Sequence, residues 1–217
     1  MLAARGNTEN RAGMARYAIN TARAFGVSVT ELRRIAKAIG TDHRLALELW
    51  QTGRHEAQLL AGMIDDPAQV DEAQLERWAA DFDSWDTCDQ TCANLFDRAD
   101  LARVKAVQWA VREEEFVKRA AFALMAALAV HDKRAPDEVF GRFLPVIAAA
   151  ADDERNFVKK AVNWALRNIG KRNQTLNTAA VACSHEIAAR GTRSARWIAA
   201  DALRELTSAR VQQRLTK

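Results

Sequence analysis

Phe116-Val117-Lys118-Arg119-Ala120 returns forty-one residues later as Phe157-Val158-Lys159-Lys160-Ala161. Each copy follows an acidic stretch, Glu113-Glu114-Glu115 and then Asp152-Asp153-Glu154. A weaker third copy runs from Thr192 to Leu206. A period near forty with two helices per unit marks a solenoid, because one helix pair cannot bury its apolar face without a neighbour stacked on it. The expected fold is therefore all-α: stacked antiparallel helix pairs curved around a concave face.

Outward from that repeat, the chain punctuates itself as helices throughout. Ser28-Val29-Thr30-Glu31 has the capping-box form, Asp66-Pro67 sets a cap before a first-turn proline, and Gly26, Gly40 and Gly191 stand where helices should stop. Between these signals apolar residues recur at three and four. They predict helices over 9–24, 28–39, 42–51, 54–64, 67–81, 84–96, 99–110, 113–130, 136–150, 153–169, 174–189 and 193–207. Residues 208–217 read equally as a last helical turn or a basic tail.

Composition agrees with helix: 49% of the 217 residues are hydrophobic, with three prolines and nine glycines. The length fits one domain over 1–217. No apolar run is long enough to cross a bilayer and MLAARGNTENRAG lacks a signal-peptide segment, so a cytoplasmic protein without membrane contact is expected. Cys88, Cys92 and Cys183 include no CxxC pair, which argues against a disulfide framework and a zinc site. Charge is uneven within a formal net of +4. Residues 65–100 carry eleven acids against two bases, whereas 153–217 carry thirteen bases against five acids. The basic third points to a polyanion partner, although solvated helix faces explain such counts equally well.

Two constellations bear chemistry. In Ser84-Trp85-Asp86-Thr87-Cys88-Asp89, Trp85 and Asp89 lie one turn apart on a helix face, and Asp86 falls in the first turn, where the dipole favours an anion. A carboxylate beside an indole suits stabilisation of an oxocarbenium-like sugar. From these residues alone the plainer reading, a solvated acid next to a core tryptophan, has the stronger claim. In the second, Lys160, Trp164, Arg167 and Lys171 follow spacings of four, three and four along one stripe, suited to phosphates and a sugar or base face. Core packing of Trp164 with snorkelling cations is the alternative, and the flanking Asn163, Asn168 and Asn173 tip the balance toward a binding surface. Trp109 reads as core; His55 in Arg54-His55-Glu56 could serve as an acid or base, but a surface helix is the plainer setting. No Gly-rich phosphate loop and no GxSxG elbow occurs.

Taken in order, SWDTCD at 84–89, FVKRA at 116–120 and FVKKAVNWALR at 157–167 resemble the DNA alkylation repair glycosylases of the AlkD type, within the HEAT-like repeat superfamily. The likeness extends to Met14-Ala15-Arg16-Tyr17, Gly26-Val27 and Thr30-Glu31-Leu32-Arg33-Arg34. It implies a HEAT-like solenoid with a DNA-binding concave face, and a monomeric enzyme without metal or other cofactor. The enzyme would hydrolyse the N-glycosidic bond of cationic N3- or N7-alkylated purines in double-stranded DNA, the first step of base excision repair. By the same resemblance Asp89 is the catalytic carboxylate, Trp85 and Trp164 pack against the lesion's deoxyribose, and Arg119 is a further basic site residue. Arg167, Lys160, Lys171, Tyr17 and Arg34 are then DNA-binding residues. Two features depart from the pattern: the acidic run Asp81–Asp97 surrounds Asp89, and Ser84 stands where the family often carries an aromatic residue. The competing functions are a non-catalytic module binding damaged or branched DNA, and a protein-interaction scaffold.

Overall fold

A computed structural model describes residues 1–216, which contain helices and no strand. They form two compact units divided after Leu101.

The first unit holds α1 (Thr8–Arg16), α2 (Val29–Ile39), α3 (His43–Gln51), α4 (His55–Ile64), α5 (Glu72–Ala80) and α6 (Trp85–Asn94). Short polar residues start most of these helices. The side chains of Asn7, Ser28, Asp42 and Asp71 each accept the backbone N–H three residues on. The capping box at Ser28 is half made: Glu31 engages Arg34 and Arg5, rather than reaching back to its cap. These guanidinium contacts hold the Glu31 carboxyl at about 2, below its ordinary value. The core centres on Trp50 and Trp78, stacked 3.8 Å apart, with Phe82 edge-on to Trp50 and Phe96 tilted against Trp78.

The helix expected over 9–24 ends at Arg16. Ala18 takes a left-handed conformation, φ 56°, and the chain runs on irregularly to Ser28. Gly26 is consequently not a helix stop; it sits in that loop. The segment expected as one helix over 67–81 is a 3-10 turn, Pro67–Gln69, followed by α5.

The second unit holds α7 (Ala102–Gln108), α8 (Glu115–His131), α9 (Asp137–Gly141), α10 (Phe143–Ala149), α11 (Asn156–Gly170), α12 (Gln174–Ala189), α13 (Arg193–Leu206) and α14 (Ala209–Leu215). Here the repeat becomes geometry. Helices α8 and α11 begin forty-one residues apart and lie side by side, and α11 also lies against α13. Hydrogen bonds join residues about one period apart: Arg155 Nη1 to the Glu113 carbonyl, Asn168 Nδ2 to the Ala126 carbonyl, and Ser194 N to Glu154 Oε1. Phe116 and Phe157, first residues of the two copies, touch with ring centroids 5.4 Å apart. From Val117 to Ala129, α8 is buried on almost every side. Its alanines permit close approach by neighbouring helices, while Phe122, Leu124 and Met125 fill the space between. The segment expected as one helix over 136–150 is broken at Arg142. Pro145 has no N–H to offer the Gly141 carbonyl, and its ring crowds that turn.

No described helix is long and apolar enough to cross a membrane.

Candidate functional site

In the first unit, α6 begins at Trp85, with Asp86 in its first turn and Asp89 one turn on. Trp85 and Asp89 are both half-buried. The Trp85 indole N–H donates to the Tyr17 carbonyl at 2.9 Å, so the irregular loop after α1 sets the ring's orientation. That loop is fastened twice more: Asn20 N–H donates to Ser84 Oγ at 3.3 Å and Asn20 Nδ2 to Asp83 at 2.7 Å. Ser84 occupies the N-cap position, but its hydroxyl donates to Asp86 at 2.8 Å instead of capping the helix backbone. Tyr17 is 73% exposed, next to the strained Ala18. A non-glycine residue held left-handed costs about 1–3 kcal/mol, so the surrounding contacts must overdetermine the loop. Arg34 is exposed on α2 and paired with Glu31 on the same helix.

His55 is not on a surface. It is buried, with Nε2 2.9 Å from Asp86 Oδ2. Burial disfavours the imidazolium, yet the hydrogen bonding and charge of Asp86, assisted by Glu56 and Asp83, raise its pKa above the ordinary histidine value. Neighbouring Glu56 is fully buried and accepts the backbone N–H groups of Phe25, Gly26 and Val27. His55 and Asp86 line a pocket of about 390 Å³ with Met14, Tyr17, Val29 and Leu59.

In the second unit, Arg119 is 6% exposed and donates from Nη1 to the Phe157 carbonyl at 2.6 Å, tying α8 to the start of α11. Lys160, Trp164 and Arg167 follow one another along α11, with Lys171 at its C-cap; Lys160 is exposed and Trp164 half-buried. Much of the cationic stripe is compensated from α13. Arg167 reaches Glu205 at 2.6 Å and Asp201 at 3.5 Å, and Lys171 reaches Glu205 at 2.8 Å. Burial opposes ionisation of Glu205, but Lys171 and Arg167 hold its pKa below the usual carboxylate range. The three asparagines read as binding groups are structural: Asn163 donates to Asp201, Asn168 to the Ala126 carbonyl, and Asn173 both holds Asp137 and caps α12. Trp109, as expected, is core.

Glu56 and Asn20 escaped the sequence reading, and the buried setting of His55 with its Asp86 partner was missed. Glu56 had a usable signal, since it shares a spacing of four with Leu60 and Ile64 on a stripe that is otherwise apolar. For His55 there was none, because its partner lies thirty-one residues away with no repeat to connect the two positions.

Helix pairs returning at about forty residues, with hydrogen bonds spaced by the same period, define a HEAT-like repeat protein. The fold is similar to that of a solved structure described as a new family of proteins related to the HEAT-like repeat DNA glycosylases with affinity for branched DNA structures. The TM-score is 0.75 and the identity 22%, covering 85% of this chain and 79% of that one. No curated protein matches the sequence. The sequence matches the DNA alkylation repair enzyme family over residues 1–206, and the chain belongs to that family.

Proposed function

We propose that this protein is a DNA glycosylase that releases cationic N3- or N7-alkylated purines from double-stranded DNA. The observation that carries the reading is Trp85 and Asp89 one turn apart on α6, both half-buried, with the indole fixed by the Tyr17 carbonyl, in a chain of the DNA alkylation repair enzyme family. The C1′–N bond breaks with its electron pair leaving on the base, which neutralises the positive charge the alkyl group had imposed. No protonation of the leaving group is needed. Asp89 stabilises the developing sugar cation, and a water oxygen bonds C1′ while its proton passes to solvent or to the carboxylate. Indole faces add cation–π attraction of about 0.5–2 kcal/mol each, which favours a cationic lesion over a neutral base. Trp164, Arg119, Arg167, Lys160, Lys171, Tyr17 and Arg34 take their roles from the family resemblance.

The test is base release from a duplex containing one N7-methylguanine. Asp89→Asn is expected to lower the excision rate about 100-fold or more while leaving the dissociation constant for the duplex within about threefold. Excision by Asp89→Asn at the wild-type rate ends the assignment. Binding by the wild type without release moves the chain to the second reading, a module for damaged or branched DNA. That reading draws on the affinity for branched DNA attributed to the structurally similar protein.

A further inference from the structure

Helices α8 and α11 end beside each other, and their C-terminal turns border a polar pocket of about 370 Å³. Lys133, Lys171, Arg172 and Arg214 line it, together with the Asn168 amide. No carboxylate side chain is among the described lining residues. Arg214 arrives from α14, the segment that sequence left undecided between helix and tail, and donates to the Lys171 carbonyl at 2.8 Å. The Arg172 guanidinium lies over the Phe140 ring at 3.7 Å and donates to the Ala129 and Asp132 carbonyls at 2.7 and 3.0 Å.

Cations at helix C-termini complement the dipole, and that accounts for part of this arrangement. It does not account for the charge balance. Arg172 and Arg214 donate to backbone carbonyls, which satisfy N–H groups without neutralising a charge. Lys171 shares Glu205 with Arg167. Asp132 and Asp137 attract Arg172 from a distance, but Asp132 is held by Arg103 and Asp137 by Asn173. Burial pushes the Arg172 pKa down despite both carboxylates, the response of a cation short of compensating charge. Stacked on Phe140 and tied at both ends, this guanidinium is also fixed in place before any ligand arrives.

We propose that Lys133, Lys171, Arg172 and Arg214 form a phosphate site that takes a phosphodiester group of a DNA strand. The choice of DNA as the source of the phosphate rests on the function proposed above. Folding α14 back onto the end of α11 is what completes the site, which gives the C-terminal helix a binding role beyond the Gln212 hydrogen bond to the Leu206 carbonyl.

The experiment measures duplex affinity across a salt series for the wild type, Lys133→Gln, Arg214→Gln and Arg214→Lys, with inorganic pyrophosphate titrated calorimetrically in parallel. Each removed cation is expected to reduce the slope of log K against log salt by about 0.9, with Arg214→Lys near the wild type. Pyrophosphate is expected to compete with DNA in the wild type and to lose that ability in the two glutamine variants. Lys133 is exposed beyond the end of α8, so its variant remains readable if Arg214→Gln unfolds α14. Wild-type binding with an unchanged slope in Lys133→Gln overturns the site and leaves the DNA reading standing. Pyrophosphate binding by a wild type that does not bind DNA overturns both the DNA reading and the assignment of the site to a phosphodiester.

Discussion

His55 and Asp86 show how one side-chain pair sets a measurable dependence on pH. The raised His55 pKa means that the folded state holds its proton more tightly than the unfolded chain, whose histidine titrates near 6.5. The stabilisation is therefore complete below about pH 6.5 and disappears as pH rises through the folded value. Asp86→Asn removes the principal favourable contact and leaves burial opposed only by the charges of Glu56 and Asp83, so the His55 midpoint should fall. A titration of the His55 ring protons by NMR checks this, and an unmoved midpoint in Asp86→Asn would remove Asp86 as the cause. The stability gap between wild type and variant should also narrow from pH 6 to pH 9. Asp86 was legible in sequence as a first-turn acid, and it is one. Its pairing with His55 was not, since local spacing carries no information about which distant residue a half-buried carboxylate meets.

Elements were most legible where a local signal both starts and stops them, as in α2, α3 and α12, whose expected and observed spans agree to a residue. They were least legible where a tertiary partner overrides the pattern. Apolar spacing carries on past Arg16, but the Tyr17 carbonyl and Asn20 are drawn to the start of α6 and the helix ends. Within the same loop Gly26, at φ 84°, is held by approach as well as by backbone conformation. A Cβ there would lie 2.0 Å from the Asn7 carbonyl oxygen, and the residue's own N–H is bonded to Glu56. Gly40 has a similar φ, 79°, with nothing within 4 Å of its Cβ position. Gly26→Ala is accordingly expected to cost about 3 kcal/mol or more, and Gly40→Ala about 1–2 kcal/mol. Urea unfolding of the two variants checks the difference, and equal losses would mean that backbone conformation alone constrains Gly26.

At the scale of the molecule, what sequence revealed was the period, and the period foretells contacts. Once residues forty-one apart are known to be equivalent, the meeting of Phe116 with Phe157 follows; the first unit offers no such rule, and its Trp50–Trp78 stack had no counterpart in the reading. The acidic turns that marked the repeat also turn out to join its copies. Asp153 pairs with Lys118 on α8 and with Arg155, while Asp152 pairs with Arg190 and accepts from Thr192 ahead of α13. Burial opposes ionisation of Asp153, but Arg155 and Lys118 hold its pKa at about 2; the Arg190 hydrogen bond, with Thr192, depresses Asp152. Both carboxyls thus bind protons less readily in the folded state than in the unfolded chain, where they titrate near 3.9. Their stabilisation is present above about pH 4 and is lost as pH falls through the folded values, which for Asp153 means about 2. Asp153→Asn should cost about 1–2 kcal/mol at pH 7, discounted for a site partly open to solvent. The gap to the wild type should also narrow as pH falls toward 2, where about half of the wild-type Asp153 carboxyls are themselves protonated. A urea series from pH 2 to pH 7 measures both. A gap of constant size would show that Asp153 acts through packing rather than charge, and the acidic turn would then be a helix start with no part in joining the repeats.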